Sequence, residues 1–216
     1  MKKYFLFLGL LFIVSCKKAD APYAGFNMYF EKPQPINDSE LSKIPSKFQG
    51  SFMSKDSFFV RIEEKEILIE NYLKFRIHKT DLDSLKEFFS YPNANFKLST
   101  NTIIGDSLEI IKKDIDTFFV FSNVQKAKRI DGQLVLNYKD SIYWKIKTIS
   151  IEKNILKIKY IYSEEDLKRI DSLTKIKSTM IDSSAYILRP SRNEFKRVLN
   201  LKNLGETREY KKVKNN

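Results

Sequence analysis

The sequence predicts an α+β fold, mainly an antiparallel β meander carrying two or three packed helices. Three observations carry this. Leu156, Ile158, Tyr160 and Tyr162 alternate with their neighbours more regularly than any other stretch, which is the period-two signature of a half-buried strand. Asp131-Gly132 and Glu152-Lys153-Asn154 punctuate the apolar runs as turns, so the segments around Leu134, Ile146 and Leu156 follow one another as neighbours. Ser163 and Ser191 each precede a helical-period stripe, with Asp166 and Glu194 at the third position after them, as in a capping box.

Taken from the N-terminus, Lys2 and Lys3 form a positive start, and Tyr4 to Val14 is apolar apart from Gly9. A run of this kind fits the roughly 7–15 residues of a signal-peptide core. As a helix it would be about 16 Å long, against a bilayer core of about 30 Å. Residues 1–15 are therefore expected to be a signal peptide. Residues 16–35, with Pro22, Pro33 and Pro35, are expected to be a tether. Phe26, Met28, Tyr29 and Phe30 are apolar for a tether and suggest an edge strand docked back on the domain. Residues 36–216 are expected to form one β-rich domain.

Within it, Asp38-Ser39-Glu40 opens a short helical turn through Leu41 and Ile44, stopped by Pro45. Strands are expected at Ser57 to Glu63, Glu66 to Glu70 and Leu73 to His78, then a helix from Asp81 to about Phe89 capped by Thr80. Ser107 to Ile111, Thr117 to Phe121, Leu134 to Tyr138, Ile142 to Ile151 and Leu156 to Tyr162 continue the strands. Along Ile142 to Ile151 the apolar phase shifts after Ile146. Leu167, Ile170, Leu173 and Ile176 form the stripe of the helix after Ser163. Ser184 to Leu188 is a strand ended by Pro190, Arg192 to Leu201 a helix stopped by Gly205, and Thr207 to Val213 a last strand. Asp83-Ser84-Leu85 and Asp171-Ser172-Leu173 echo each other, as a duplicated ββα unit would.

The chemistry-bearing residues are few. Cys16 is the only cysteine and His78 the only histidine, which excludes an intramolecular disulfide and a cysteine-rich metal site. His78 reads as an exposed strand-end residue. No G-x-S-x-G elbow, P-loop or dinucleotide fingerprint is present. Asp81 and Asp83, Asp114 and Asp116, and Glu164 to Asp166 are carboxylate pairs of the kind a glycosidase needs, but they sit at turns and helix starts, where caps and solvation explain them. Basic and aromatic residues alternate at Tyr143 to Lys147 and Lys157 to Tyr162. That is a stacking-platform pattern, and equally the pattern of a half-buried sheet with aromatics inward and lysines outward. No catalytic residue, cofactor or metal is expected. The net charge of +12 favours anionic surfaces.

Ile13-Val14-Ser15-Cys16 resembles the bacterial lipobox. The resemblance implies cleavage before Cys16 and a diacylglyceride on its sulfur, with palmitate-type chains giving stable anchoring. The chain as a whole resembles the small lipoproteins of Bacteroidota, rich in Lys, Ile and Asp-Ser, that have no assigned activity. In that group acidic residues after the cysteine mark surface export. Lys17-Lys18-Ala19-Asp20 departs from that pattern, which implies an outer membrane location facing the periplasm of the cell envelope.

The expected function is a non-catalytic binding or assembly module, not an enzyme. Its partners are the membrane through lipidated Cys16 and either an envelope protein or an anionic lipid, with no nucleic acid. The alternatives are a carrier or sensor of an amphiphile in a β cavity lined by Phe58, Phe59, Phe118, Phe119 and Phe121, and an envelope glycan hydrolase using a carboxylate pair.

Overall fold

The computed structural model describes residues 25–81 and 97–213. Their thirteen strands join one sheet, antiparallel except for a single parallel pairing, so the α+β class holds. Cys16 and the segment from Leu82 to Phe89 expected to be helical lie outside the described residues, and the ββα duplication is not confirmed. Among the described residues no helix is long and apolar enough to cross a membrane.

The chain enters the sheet earlier than its prolines suggest. β1 (Asn27–Phe30) buries Met28 and Phe30 and is flanked on both sides, so it is not an edge. The Pro33–Pro35 loop is clamped from below. Lys128 Nζ donates to the carbonyls of Pro33 (3.3 Å) and Pro35 (2.9 Å). Asn137 accepts the Gln34 N–H at 2.6 Å and returns a hydrogen bond to the Gln34 carbonyl at 2.8 Å. The expected tether through Pro35 is thus shortened, because Asn27 to Pro35 belongs to the folded domain.

The expected turn of helix at Leu41 to Ile44 is absent. The Leu41 N–H goes to the Ala127 carbonyl and the Ile44 N–H to the Glu64 carbonyl, each at 2.8 Å, so neither amide is free for a helix. A short 3-10 turn follows at Ser46–Phe48. β2 (Gly50–Met53) and β3 (Phe59–Ile62) lead into β4 (Glu66–His78). β4 runs without the expected break at Asn71. Its polar positions are matched across the ladder: Glu70 lies 3.0 Å from Arg61 Nε and 2.8 Å from Lys113 Nζ. After β5 (Lys97–Ile104), β6 (Ser107–Val120) pairs with β4 along its length, from His78 opposite Ser107 to Glu66 opposite Val120.

An unexpected strand, β7 (Gln125–Ile130), leads into the expected meander of β8 (Gln133–Asp140), β9 (Tyr143–Glu152) and β10 (Ile155–Tyr160). Next come helix α1 (Glu164–Leu173), β11 (Thr179–Asp182), β12 (Ala185–Leu188), helix α2 (Arg192–Leu199) and β13 (Glu206–Val213). β13 fills the gap between β10 and β2, so the last strand ties the meander to the first hairpins.

Two cores sit on opposite faces of β8. Leu134 and Leu136 join Phe52, Val60, Ile67, Phe119 and Ile158 in one. Val135 joins Phe30, Trp144, Leu167, Ile170, Phe195 and Val198 in the other, beneath the two helices. This explains the shift of phase in β9: Trp144 and Ile146 face the helical core, and Ile149 faces the all-strand core. Each fully buried Phe or Leu contributes on the order of 2–3 kcal/mol.

β9 also forks the sheet. β8 occupies one of its edges from Tyr143 to Ile149. β1, bridged through Phe30 and Trp144, and β10, which ends at Tyr160 opposite Lys147, share the other. A cleft opens where they diverge.

Candidate functional site

The cleft in the fork is a pocket of about 430 Å3, within the range of small-ligand sites. Its floor is apolar, made of Met28, Ile146 and Ile161, the buried rim of the helical core. Its wall is cationic, made of Lys145, Lys147 and Arg208, with Glu206 the one carboxylate that borders it.

Most of these charges are engaged. Lys145 Nζ is 2.8 Å from Asp140 Oδ2 and donates to Asn27 Oδ1 at 2.9 Å. Glu206 accepts from Arg208 Nε at 2.8 Å and from the Tyr162 hydroxyl at 2.9 Å. These two bonds, the Arg208 one first, hold its carboxyl below the usual range.

Lys147 differs. Among the described residues its ammonium has no hydrogen-bond or ion-pair partner. It sits in a box of rings, 4.2 Å from the centre of Phe118, 4.5 Å from Tyr138 and 5.5 Å from Tyr160. Each ring offers its negative face, a contact worth roughly 0.5–2 kcal/mol, but none supplies a counter-charge. Burial, aided by the nearby Arg208 charge, lowers the Lys147 pKa to about 8. The Tyr160 hydroxyl is pushed by burial up to about 12, and the Arg208 guanidinium lies 5.0 Å over the same ring. An anion reaching this wall would meet an ammonium that gains more from it than a solvated lysine does.

A larger open cleft of about 1040 Å3 lies beside β2, β3 and the end of β13. Its charges are largely matched: Arg61 faces Glu63 at 3.4 Å and Glu70 at 3.0 Å, and Glu64 faces Lys43 at 3.6 Å. Lys212, which also lines it, has no ion-pair partner among the described residues but is exposed, so the fork pocket, with its half-buried Lys147, is the stronger candidate.

Of the residues singled out in the sequence, the basic–aromatic alternations matter most. Lys145 and Lys147 from one and Tyr160 and Tyr162 from the other border the same pocket. Lys147 turns inward, on the face of Ile149, where the sheet pattern puts lysines outward. Arg208, Glu206 and Asn27 come from distant strands and had no local signal. His78 is exposed at the end of β4, its Nδ1 2.9 Å from Thr80 Oγ1. Asp81 closes the short turn after it, and Asp83 is outside the described residues. Asp114 and Asp116 stand on β6 opposite Asn71 and Ile69. Asp166 is buried and bonded to backbone amides, and Glu164 and Glu165 pair with Lys168 and Arg169 on α1. Phe119 is fully buried, Phe58 is 42% exposed, and none of the five phenylalanines expected to line a cavity borders the fork pocket or the larger cleft. Among the described residues no three His, Asp or Glu side chains converge as a metal site.

Comparison of the chain with protein-family models, with curated proteins and with solved structures returned no match.

Proposed function

We propose that this protein is a binding module of the bacterial cell envelope, held at a membrane by lipid on Cys16 and facing the periplasm, which takes a ligand in the fork pocket without transforming it. The observation that carries this reading is Lys147, a half-buried ammonium without a counter-charge at the rim of a pocket with an apolar floor. A protein keeps such a group at a cost unless something compensates it, and a bound anion does so. The Glu164 to Asp166 group lends no support to the hydrolase alternative, because Asp166 is occupied by backbone amides. The apolar floor favours an amphiphile as ligand, but in this fork and not inside the strand core.

The test is purification of tagged full-length protein from detergent-solubilised envelopes of its own cells, as wild type and as Lys147→Met. Mass spectrometry would then identify what each carries. A small molecule or lipid enriched on the wild type and depleted on Lys147→Met is the expected result. Equal recovery of the same compounds on both forms would remove the fork pocket from the account.

A further inference from the structure

We infer that the fork pocket binds the phosphate group of an anionic lipid headgroup belonging to the membrane that carries the anchor. This rests on the anchored-module reading above and adds to it a ligand class and a source.

Three observations converge. The first is charge. Lys147 has no anionic partner among the described residues, and Glu206 bonds Arg208 only through Nε, which leaves the two terminal nitrogens of that guanidinium without a hydrogen bond among the described residues. A phosphate oxygen is the anion that a guanidinium fork and a point ammonium bind together. The second is the floor. Met28, Ile146 and Ile161 close the bottom of the pocket and are almost wholly buried, while the rings of half-buried Phe26 and exposed Tyr162 present apolar surface beside the cations. A free inorganic anion has no use for it, whereas the glycerol and first acyl carbons that follow a lipid phosphate do.

The third is position. Phe26 and Asn27, among the first described residues, border the pocket. The ten positions from Cys16 to Phe26 reach at most about 35 Å when fully extended. A lipid on Cys16 therefore keeps the mouth of this pocket within that distance of the bilayer surface. Lys17 and Lys18 follow the anchor at once, and basic residues at such a place gather anionic headgroups.

The experiment uses full-length protein in non-ionic detergent, with intact mass measured to establish the state of Cys16. Dihexanoyl phosphatidylglycerol, inorganic phosphate and dihexanoyl phosphatidylcholine are titrated by calorimetry at pH 7. Wild type, Lys147→Met, Arg208→Gln and the surface control Lys202→Met are compared. Lys147→Met removes a buried charge from an aromatic box, so it is expected to fold at least as well as wild type, and circular dichroism checks this.

The expected result is binding of phosphatidylglycerol that is at least tenfold tighter than that of phosphate or phosphatidylcholine. It should weaken at least tenfold in Lys147→Met and in Arg208→Gln and be unchanged in Lys202→Met. Phosphate bound as well as the lipid would overturn the lipid source, and equal affinity in wild type and Lys147→Met would overturn the site. Lipid present on Cys16 with no phosphatidylglycerol binding would sink the inference while leaving the anchor intact. An unlipidated Cys16 would instead defeat the anchored reading, and with it the claim that the ligand comes from the anchoring membrane.

Discussion

The Asp166 carboxylate accepts the Gly205 N–H at 2.6 Å, across 39 residues of chain. Its other oxygen accepts the N–H groups of Tyr162 and Ser163, each at 3.1 Å. One buried side chain thus caps α1 and fixes the turn that launches β13. Because Tyr162 and Glu206 flank these bonds and border the pocket, it also holds the end of β10 and the start of β13 at the fork. Asp166→Ala leaves three backbone donors without their acceptor. A loss of about 2–4 kcal/mol is expected from the cap and the stranded donors, seen as a lower urea midpoint at unchanged slope.

Gly205 itself has φ +74°, and a Cβ built there would collide with the Tyr160 carbonyl oxygen. Gly205→Ala should therefore cost about 2 kcal/mol or more and disturb the fork wall with it. Gly105 has a similar φ of +61° but nothing within 4 Å of a new Cβ. Gly105→Ala should cost only the backbone strain, about 1 kcal/mol. Equal losses at the two positions, measured by urea denaturation, would show that the collision with Tyr160 is relieved by movement.

Phe119 fills the all-strand core and is fully buried, whereas Phe58 is exposed. Phe119→Ala is expected to cost about 3–5 kcal/mol, and Phe58→Ala less than about 0.5 kcal/mol. Were Phe119 the lining of an empty ligand cavity, its truncation would cost far less and would change ligand uptake instead.

Lys147 gives stability a defined pH dependence. Its pKa is held at about 8 against an ordinary 10.5. Between those values the unfolded chain binds more protons than the folded one, so stability rises with pH across that window, and the full penalty is present below pH 8. Tyr138 and Tyr160, which face the ammonium, are pushed by burial above the window, Tyr160 to about 12. Lys147→Met should be more stable than wild type at pH 7, with the difference shrinking between pH 8 and 10.5. A difference that grows with pH in urea melts would mean that Lys147 is ion-paired.

Much of this was legible in the sequence where local periodicity and caps decide the structure. The β8 to β10 meander and both capping boxes follow from residues close in the chain, whereas the last helix ends at Leu199 with Asn200 as its cap and not at Gly205. Ser163 and Asp166 complete a full box although Asp is shorter than the usual Glu, because this carboxylate is buried and reaches two successive amides. What escaped depends on distant partners. β7 reads as polar, yet its Lys128 is buried because the carbonyls of Pro33 and Pro35 receive the ammonium. β11 is exposed along its length and carries no apolar period. The two basic–aromatic alternations pointed toward the site. That Lys147 faces inward could not be read from β9, since Phe118, Tyr138 and Tyr160, the rings that receive it, come from three other strands.

The most direct measurement is the titration of Lys147 itself, followed by NMR of carbon-labelled lysine and assigned by its loss in Lys147→Met, with and without dihexanoyl phosphatidylglycerol. A binding site in the fork predicts a pKa near 8 in the free protein that rises by at least one unit when the lipid is bound, as an arriving phosphate supplies the missing counter-charge. A lysine that titrates at its ordinary value in the free protein, or one that the lipid leaves unmoved, would contradict it.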